Sequence, residues 1–335
     1  MSNDNTVLDV DNLTVYYELE EETVKAVNEI SIKLSSGKTL GLVGETGAGK
    51  TTVALSLLRL VPDPPGVIKN GKIMVNGNDI LNLPLNKLES IRGNDISMIF
   101  QDPMTSLNPV FTVGDQIAES ISIHEKLNKQ QAWDKAMEML ELVGIPASRG
   151  VDYPHQFSGG MRQRVGIAIA LACNPKILIA DEPTTALDVT IQAQVLDMMK
   201  DLKEKYQMAM IMITHDLGIV AEICDEVAVM YAGRIVEQGN LDEVFNHTMH
   251  PYTEGLFNSL PNVNDRKAEL EPIPGLMPDP TNLPQGCAFA ERCSYASDKC
   301  REKMPVLTTM EGGHKVACVA YEEADFKIRR GNKNV

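Results

Sequence analysis

Four nearly continuous apolar runs set the framework of this 335-residue chain: Thr39-Leu40-Gly41-Leu42-Val43, Ile96-Ser97-Met98-Ile99-Phe100, Lys176-Ile177-Leu178-Ile179-Ala180 and Met208-Ala209-Met210-Ile211-Met212-Ile213-Thr214. Short runs of this kind are strands buried on both faces. Helical stretches alternate with them over residues near 1–103 and 166–245, which predicts an α/β core with a mainly parallel sheet, preceded by a small antiparallel portion. From about 104 to 165 the character changes. Gln116 to Ser122 and Gln130 to Val143 have helical spacing, the second amphipathic through Trp133, Met137, Leu140 and Val143, so a helical insertion that uses these side chains for internal packing is predicted. After Leu260 the prolines at 261, 272, 274, 278, 280 and 284 predict an extended connection rather than helices. The expected division is therefore 1–260 and 261–335.

The first buried strand leads into Gly44-Glu45-Thr46-Gly47-Ala48-Gly49-Lys50-Thr51, followed by Thr52 and a predicted helix from Lys50 to Val61. The run fits G-x-x-x-x-G-K-[ST] in its required strand–loop–helix setting. Glycines 44, 47 and 49 let the backbone wrap with its N–H groups inward, and the helix adds its positive end, so the loop is built to cradle a triphosphate. Lys50 is placed to hold the outer phosphates and Thr51 the magnesium ion. The strand at 176–180 ends in Asp181-Glu182, which supplies the other half of such a site. Asp181 is the candidate magnesium carboxylate, and Glu182 the candidate base for an attacking water, because phosphoryl transfer needs a positioned nucleophile and neutralised phosphate charge. An acidic pair after an apolar strand can also serve only as a helix cap; the phosphate loop favours the chemical reading.

Tyr153-Pro154-His155-Gln156-Phe157-Ser158-Gly159-Gly160-Met161-Arg162-Gln163-Arg164 resembles the signature sequence of ATP-binding cassette proteins. A serine and bare N–H groups at a helix start form an anion site. The resemblance implies a P-loop NTPase core of RecA-like type with an antiparallel β subdomain and a helical insertion. It implies a head-to-tail dimer in which Ser158, Gly159 and Gly160 meet the γ-phosphate held by the opposite subunit. Phe157 and Met161 depart from the family's commonest leucine and glutamine at the motif's edges, without touching the serine or glycines. On the same resemblance Gln101 senses magnesium and the attacking water and begins the segment that touches a membrane partner. Asp188, in Thr185-Ala186-Leu187-Asp188, contacts the opposite subunit, His215 contacts the γ-phosphate, and Tyr17 lies against adenine, with Tyr16 the alternative if the register shifts by one.

Composition limits the partners. No apolar run approaches the roughly 18 residues needed to span a bilayer, and Met1-Ser2-Asn3-Asp4-Asn5 lacks the basic and apolar regions of an export signal, so a cytosolic chain is expected. Net charge is −15, and residues 261–335 hold eleven acids and eleven bases, which places the whole excess in 1–260. Such a surface is repelled by nucleic-acid phosphates and anionic lipid headgroups, so attachment to a membrane requires a protein partner.

Cys287, Cys293, Cys300 and Cys318 gather four of the six cysteines in the tail, whereas Cys173 and Cys224 lie in the core as small buried residues. Clustered thiols in a reducing compartment favour metal over disulfides. The spacing C-x5-C-x6-C-x17-C leaves zinc, iron–sulfur and unligated thiols open. Cys287-Ala288-Phe289-Ala290-Glu291-Arg292-Cys293, with His250-Pro251-Tyr252-Thr253-Glu254-Gly255-Leu256 and Gln101-Asp102-Pro103-Met104-Thr105-Ser106-Leu107-Asn108-Pro109, is similar to the dipeptide and oligopeptide importer ATPases. That resemblance implies a [4Fe–4S] cluster on the four cysteines, with His314 a spare ligand and zinc the alternative, in a small irregular tail that the metal would pin.

The function implied is ATP-driven closure of a cassette dimer that powers peptide uptake from the cytoplasmic face of the membrane. Two permease subunits, a related but distinct second cassette and an extracytoplasmic peptide-binding protein are the implied partners; nickel or sugar are alternative cargoes. A soluble cassette acting on nucleic acid or translation predicts two cassettes in one chain, a coiled-coil insertion or a basic face, none of which is visible. A regulatory module using ATP only as glue is disfavoured by intact Glu182 and His215.

Overall fold

A computed structural model describes residues 5–102, 106–185, 187–260, 272–323 and 326–329. Residues 103–105 of the run after Gln101, Ala186, Pro261 and the first four residues lie outside them.

The four buried runs form a parallel sheet. Strands β1 (Thr6–Glu18), β2 (Thr23–Ser35), β3 (Thr39–Val43), β4 (Gly66–Val75), β5 (Asn78–Asp79), β6 (Ile96–Ile99), β7 (Ile177–Asp181), β8 (Ala209–Thr214), β9 (Glu226–Tyr231) and β10 (Arg234–Asn240) divide between two sheets. One is four-stranded and antiparallel in the order β2-β1-β4-β5; the other runs β10-β9-β3-β8-β7-β6, with β9 to β6 parallel. Every residue of β3, β7 and β8 is buried. β1 and β2 instead bury alternate positions such as Leu8 and Val10 or Ile30, Ile32 and Leu34, the mark of a sheet covered on one face. Leu40 and Leu42 of β3 pack toward this antiparallel sheet, and Val43 toward the helices on the other side. Close packing continues at Gly41, where a Cβ would meet the Sγ of buried Cys224 at 2.9 Å.

Helix α1 (Lys50–Leu57) is shorter than the predicted Lys50–Val61, because Arg59 takes a left-handed φ of 51° ahead of Pro62. α2 (Leu85–Ile91) precedes β6. The insertion holds α3 (Val113–His124), longer at both ends than its sequence pattern, and α4 (Lys129–Leu142), which is as long as its pattern and starts one residue earlier. Side-chain caps fix where both helices start: Thr112 accepts from the Asp115 amide, and Asn128 and Gln131 form a reciprocal capping box. Leu140 and Val143 are buried with Ala132, Ala136 and Met139, whereas Trp133 and Met137 are half-buried at the joint with Gly114 and Gly150. α5 (Gly159–Leu171) leads to β7, α6 (Val189–Tyr206) to β8 and α7 (Leu217–Ile223) to β9; α8 (Leu241–Asn246) and α9 (Pro251–Asn258) come after β10.

The tail is largely irregular and lies on the core. α10 (Asp298–Glu302) carries Cys300, and two short strands, β11 (Thr308–Thr309) and β12 (Lys315–Val316), extend the main sheet through pairing of β12 with β10. His314 Nε2 stands 2.9 Å from Glu237 Oε1, and Glu237 is fully buried while accepting from the Met249 and His250 amides. No helix among the described residues is long and apolar enough to cross a membrane.

Candidate nucleotide site

Register brings the site together. Val43 pairs with Thr214, Asp181 with Ile213 and Ile99 with Ala180, so β3, β8, β7 and β6 end along one edge of the sheet. Residues just beyond these carboxyl ends face a common crevice. They are the phosphate loop, His215, Glu182 and Gln101.

The loop needs its glycines. Gly44, Gly47 and Gly49 have φ values of 153°, 86° and 100°, and a Cβ would lie 2.2 Å from the Met230 carbonyl oxygen at Gly44 and 2.3 Å from that of Ala26 at Gly49. Ala48 is fully buried beneath the loop. Lys50, buried at the start of α1, donates from Nζ to the carbonyls of Gly44 at 2.7 Å and Glu45 at 3.0 Å. Burial lowers its pKa, against the pull of Glu182, Asp181 and Glu45.

Asp181, 2 % exposed, has an Oδ1 with no hydrogen-bond partner, and burial raises its pKa while the Thr51 hydroxyl, hydrogen-bonded to the carboxylate, works the other way. A buried carboxylate oxygen without a donor, beside a threonine hydroxyl, is chemistry that suits a small hard cation.

Glu182 is the focus of the rim. It has a left-handed φ of 45°. Its Oε2 accepts from Gln101 Nε2 at 3.0 Å and from Thr185 Oγ1 at 2.9 Å, and its Oε1 lies 3.0 Å from His215 Nδ1. A carboxylate only accepts, so the imidazole proton sits on Nδ1. Burial opposes the negative charge, but hydrogen bonds from His215, Thr185 and Gln101 outweigh it and hold the carboxyl below its ordinary value.

A cavity of about 420 Å³ joins these groups, lined by Tyr17, Thr46, Lys50, Thr51, Thr52, Gln101, Glu182 and His215 among others. Its size suits a nucleotide. Tyr17 rather than Tyr16 reaches it, with the Tyr17 hydroxyl 3.3 Å from Thr52 Oγ1. Ser158, Gly159 and Asp188 are elsewhere. Ser158 and Gly159 are exposed and Gly160 half-buried at the start of α5, where Ser158 Oγ accepts from the Met161 amide at 3.4 Å; exposed Asp188 caps α6 through the Ile191 amide at 3.0 Å. Phe157 is buried with the Arg149 guanidinium 4.3 Å above its ring, so the unusual residue before Ser158 serves packing.

Several participants escaped the sequence. Thr185 belongs to a recognised run, but its bond to Glu182 depends on the turn after β7. Met277, Pro278 and Pro280 of the tail line the nucleotide cavity, and Arg292 grips Glu45 of the phosphate loop. No motif announces these contacts.

The chain matches the ABC transporter family over residues 27–185 and the C-terminal region of oligopeptide/dipeptide transporters over 236–300. It is 49 % identical over 321 residues to the oligopeptide transport ATP-binding protein AppD of Bacillus subtilis, covering 95 % of this chain and 98 % of the relative. The chain belongs to the ATP-binding cassette ATPases, in their oligopeptide/dipeptide branch. The oligopeptide transport ATP-binding protein OppD of Bacillus subtilis is 50 % identical, over 92 % of this chain and 87 % of that one. Among solved structures, the dimeric bacterial ABC transporter cassette MJ0796 superposes with a TM-score of 0.63 at 25 % identity, covering 70 % of this cassette ATPase and 98 % of that chain. A second, cbiO1 of Clostridium perfringens, part of the cbiONQ transporter complex, gives 0.61 at 28 % identity over 72 % of this chain and 91 % of its own. The protein is thus an ATPase with a P-loop cassette fold.

The four tail cysteines line one small apolar cavity together with His250 and Phe289. Three of the sulfurs receive backbone donors: Tyr295 N–H to Cys293 Sγ at 3.4 Å, Phe289 to Cys287, and Ala320 to Cys318. Burial pushes three of the thiols up: Cys287, Cys293 to about 11 and Cys318 to about 12. Among the described residues no group of three or more His, Cys, Asp or Glu is placed to hold a metal ion as it stands.

Proposed function

We propose that this ATPase drives a peptide importer, with Glu182 as the base that orients and deprotonates water. The observation that carries the reading is the convergence of Gln101, Thr185 and His215 on the Glu182 carboxylate at the rim of the cavity that also holds Lys50. A carboxylate held below its ordinary pKa stays ionised at neutral pH, ready to accept a proton. The loop N–H groups and Lys50 bind the β- and γ-phosphates, Tyr17 packs against adenine, and Thr51, Asp181 and Gln101 hold magnesium. Bound magnesium neutralises phosphate oxygens as charge develops in transfer. His215 steadies Glu182 and approaches the γ-phosphate.

Ser158 and Gly159, exposed at a helix start, and half-buried Gly160 beside them cover the γ-phosphate of a facing cassette, and Asp188 lies in the same interface. Closure of the pair moves the segment after Gln101 and with it two permease subunits fed by an extracytoplasmic peptide-binding protein. The likeness to oligopeptide transport ATP-binding proteins supports peptide as cargo and the cytoplasmic face of the membrane as the place of work. Cys287, Cys293, Cys300 and Cys318 hold a [4Fe–4S] cluster; a shared apolar cavity and N–H donors aimed at sulfur support it.

Replacing Glu182→Gln keeps the shape and removes the base. ATP should still bind, the closed dimer should accumulate, and phosphate release should fall by about a thousandfold. Turnover near the wild-type rate would place the base elsewhere.

A further inference from the structure

The phosphate loop contains a carboxylate where an incoming triphosphate brings several negative charges. Glu45 is the residue after Gly44, and its side chain is about 30 % exposed. Arg292, from the tail, covers it. The guanidinium donates from Nη1 to Glu45 Oε2 at 2.8 Å and from Nη2 to Oε1 at 3.0 Å, a two-point contact across 247 residues. It is itself fixed: Nε donates to the Pro274 carbonyl at 2.8 Å, Nη1 approaches the Tyr231 hydroxyl at 3.3 Å, and the side chain is only 7 % exposed. The Glu45 amide meanwhile donates to the Tyr252 hydroxyl at 2.9 Å. Glu45 is thus held at side chain and backbone by residues outside the loop.

The same tail reaches over the nucleotide cavity. Met277, Pro278 and Pro280 form part of its wall. A Cβ on Gly47 would lie 3.1 Å from Met277 Cε, so this side chain sits on the phosphate loop. The Pro280 carbonyl accepts from the Lys25 amide at 2.9 Å, next to Val24, the register partner of Tyr17. One strip of tail therefore touches both ends of the nucleotide cavity.

We propose that the cysteine-bearing tail is a working part of the nucleotide site, with Arg292 a positioning residue that neutralises and orients Glu45 so that the loop accepts a nucleoside triphosphate. The proposal rests on the cavity being the ATP site. Removing the guanidinium leaves an uncompensated carboxylate beside the phosphates, which weakens ATP more than ADP because ATP carries more charge. Removing the carboxylate as well removes that repulsion.

The test is nucleotide affinity of the full chain, measured by titration with fluorescent ATP and ADP analogues alongside a thermal melt. Arg292→Ala should weaken ATP by roughly tenfold and ADP by less, and KM should rise while kcat stays within about twofold. Glu45→Gln combined with Arg292→Ala should bring ATP affinity back to within about threefold of the starting protein. Unchanged ATP affinity in a folded Arg292→Ala chain overturns the proposal, as does a double variant no better than the single one, since a tail needed only for folding gives no rescue. Should Arg292→Ala fail to fold, Arg292→Lys keeps the charge and loses the two-point geometry; the expected loss is about threefold for ATP, and none contradicts the positioning role. Failure of the parent reading looks different: no variant, and not the starting protein, would bind the ATP analogue.

Discussion

The nucleotide rim and the cysteine tail are built on opposite plans. At the rim, short loops at the ends of four adjacent parallel strands bring their side chains into one crevice, and each loop is specified within a few residues of its strand. In the tail, four thiols spread from residue 287 to 318 line one cavity, in a segment held to the core by pairing of β12 with β10 and by the Arg292–Glu45 contact. A site carried by a sheet edge is local in sequence; a site carried by docking is not. The two regions meet at Glu45, which belongs to the first and is held by the second.

Variants that act on one side alone can break this contrast. Lys50→Ala removes the charge that the proposed mechanism sets against the outer phosphates, so ATP hydrolysis should fall by about a thousandfold while the iron content of anaerobically purified protein is unchanged. Loss of iron in the same variant would mean that the regions do not fold independently. Cys300→Ser should do the reverse. Iron and sulfide should drop several-fold with ATP affinity within about tenfold, and a colourless starting protein with one equivalent of zinc would replace the cluster by a single ion.

Asp225 gives a smaller and purely structural contrast. It accepts from the Thr39 amide at 2.8 Å and pairs with Lys38 and Lys203, anchoring the strand that feeds the phosphate loop. Burial raises its pKa, but these partners prevail and lower it. A carboxyl lowered in the folded state stabilises above its ordinary value, and that contribution is lost as pH falls through the folded one. Asp225→Asn should therefore lower Tm by a few degrees at pH 7, with the gap closing below about pH 4. A gap that persists in acid would assign the effect to packing. Least of all, Tyr17→Phe removes only the 3.3 Å contact with Thr52, and ATP affinity should change less than about threefold. A larger loss would give the hydroxyl a role of its own.

These differences also decide what the sequence could reveal. The strand, glycine loop and Lys50 are legible because backbone conformation demands glycine at 44, 47 and 49, and the buried runs before Gln101, Glu182 and His215 fix where each side chain emerges. α3 and α4 are legible from helical spacing, α3 short of the turn that begins at the Thr112 cap and α4 off by one residue at the Asn128 cap. α1 is overestimated because apolar spacing continues past the left-handed turn at Arg59. Met277 and Arg292 are not legible at all as parts of the nucleotide site. Their positions depend on the path of a proline-rich connection, for which periodicity has no signal. That the four thiols share one cavity can be suspected from clustering, but the amides aimed at their sulfurs cannot.

The central claim is that nucleotide is gripped by the phosphate loop of one cassette and the exposed serine–glycine turn of another. A structure of Glu182→Gln with magnesium and ATP, together with its membrane partners, tests it most directly. The γ-phosphate bound to Lys50 should lie within hydrogen-bond reach of the facing cassette's helix start, and Ser158 should lie likewise against the nucleotide of that neighbour. Ser158 turned toward solvent, far from any triphosphate in the closed assembly, would contradict it.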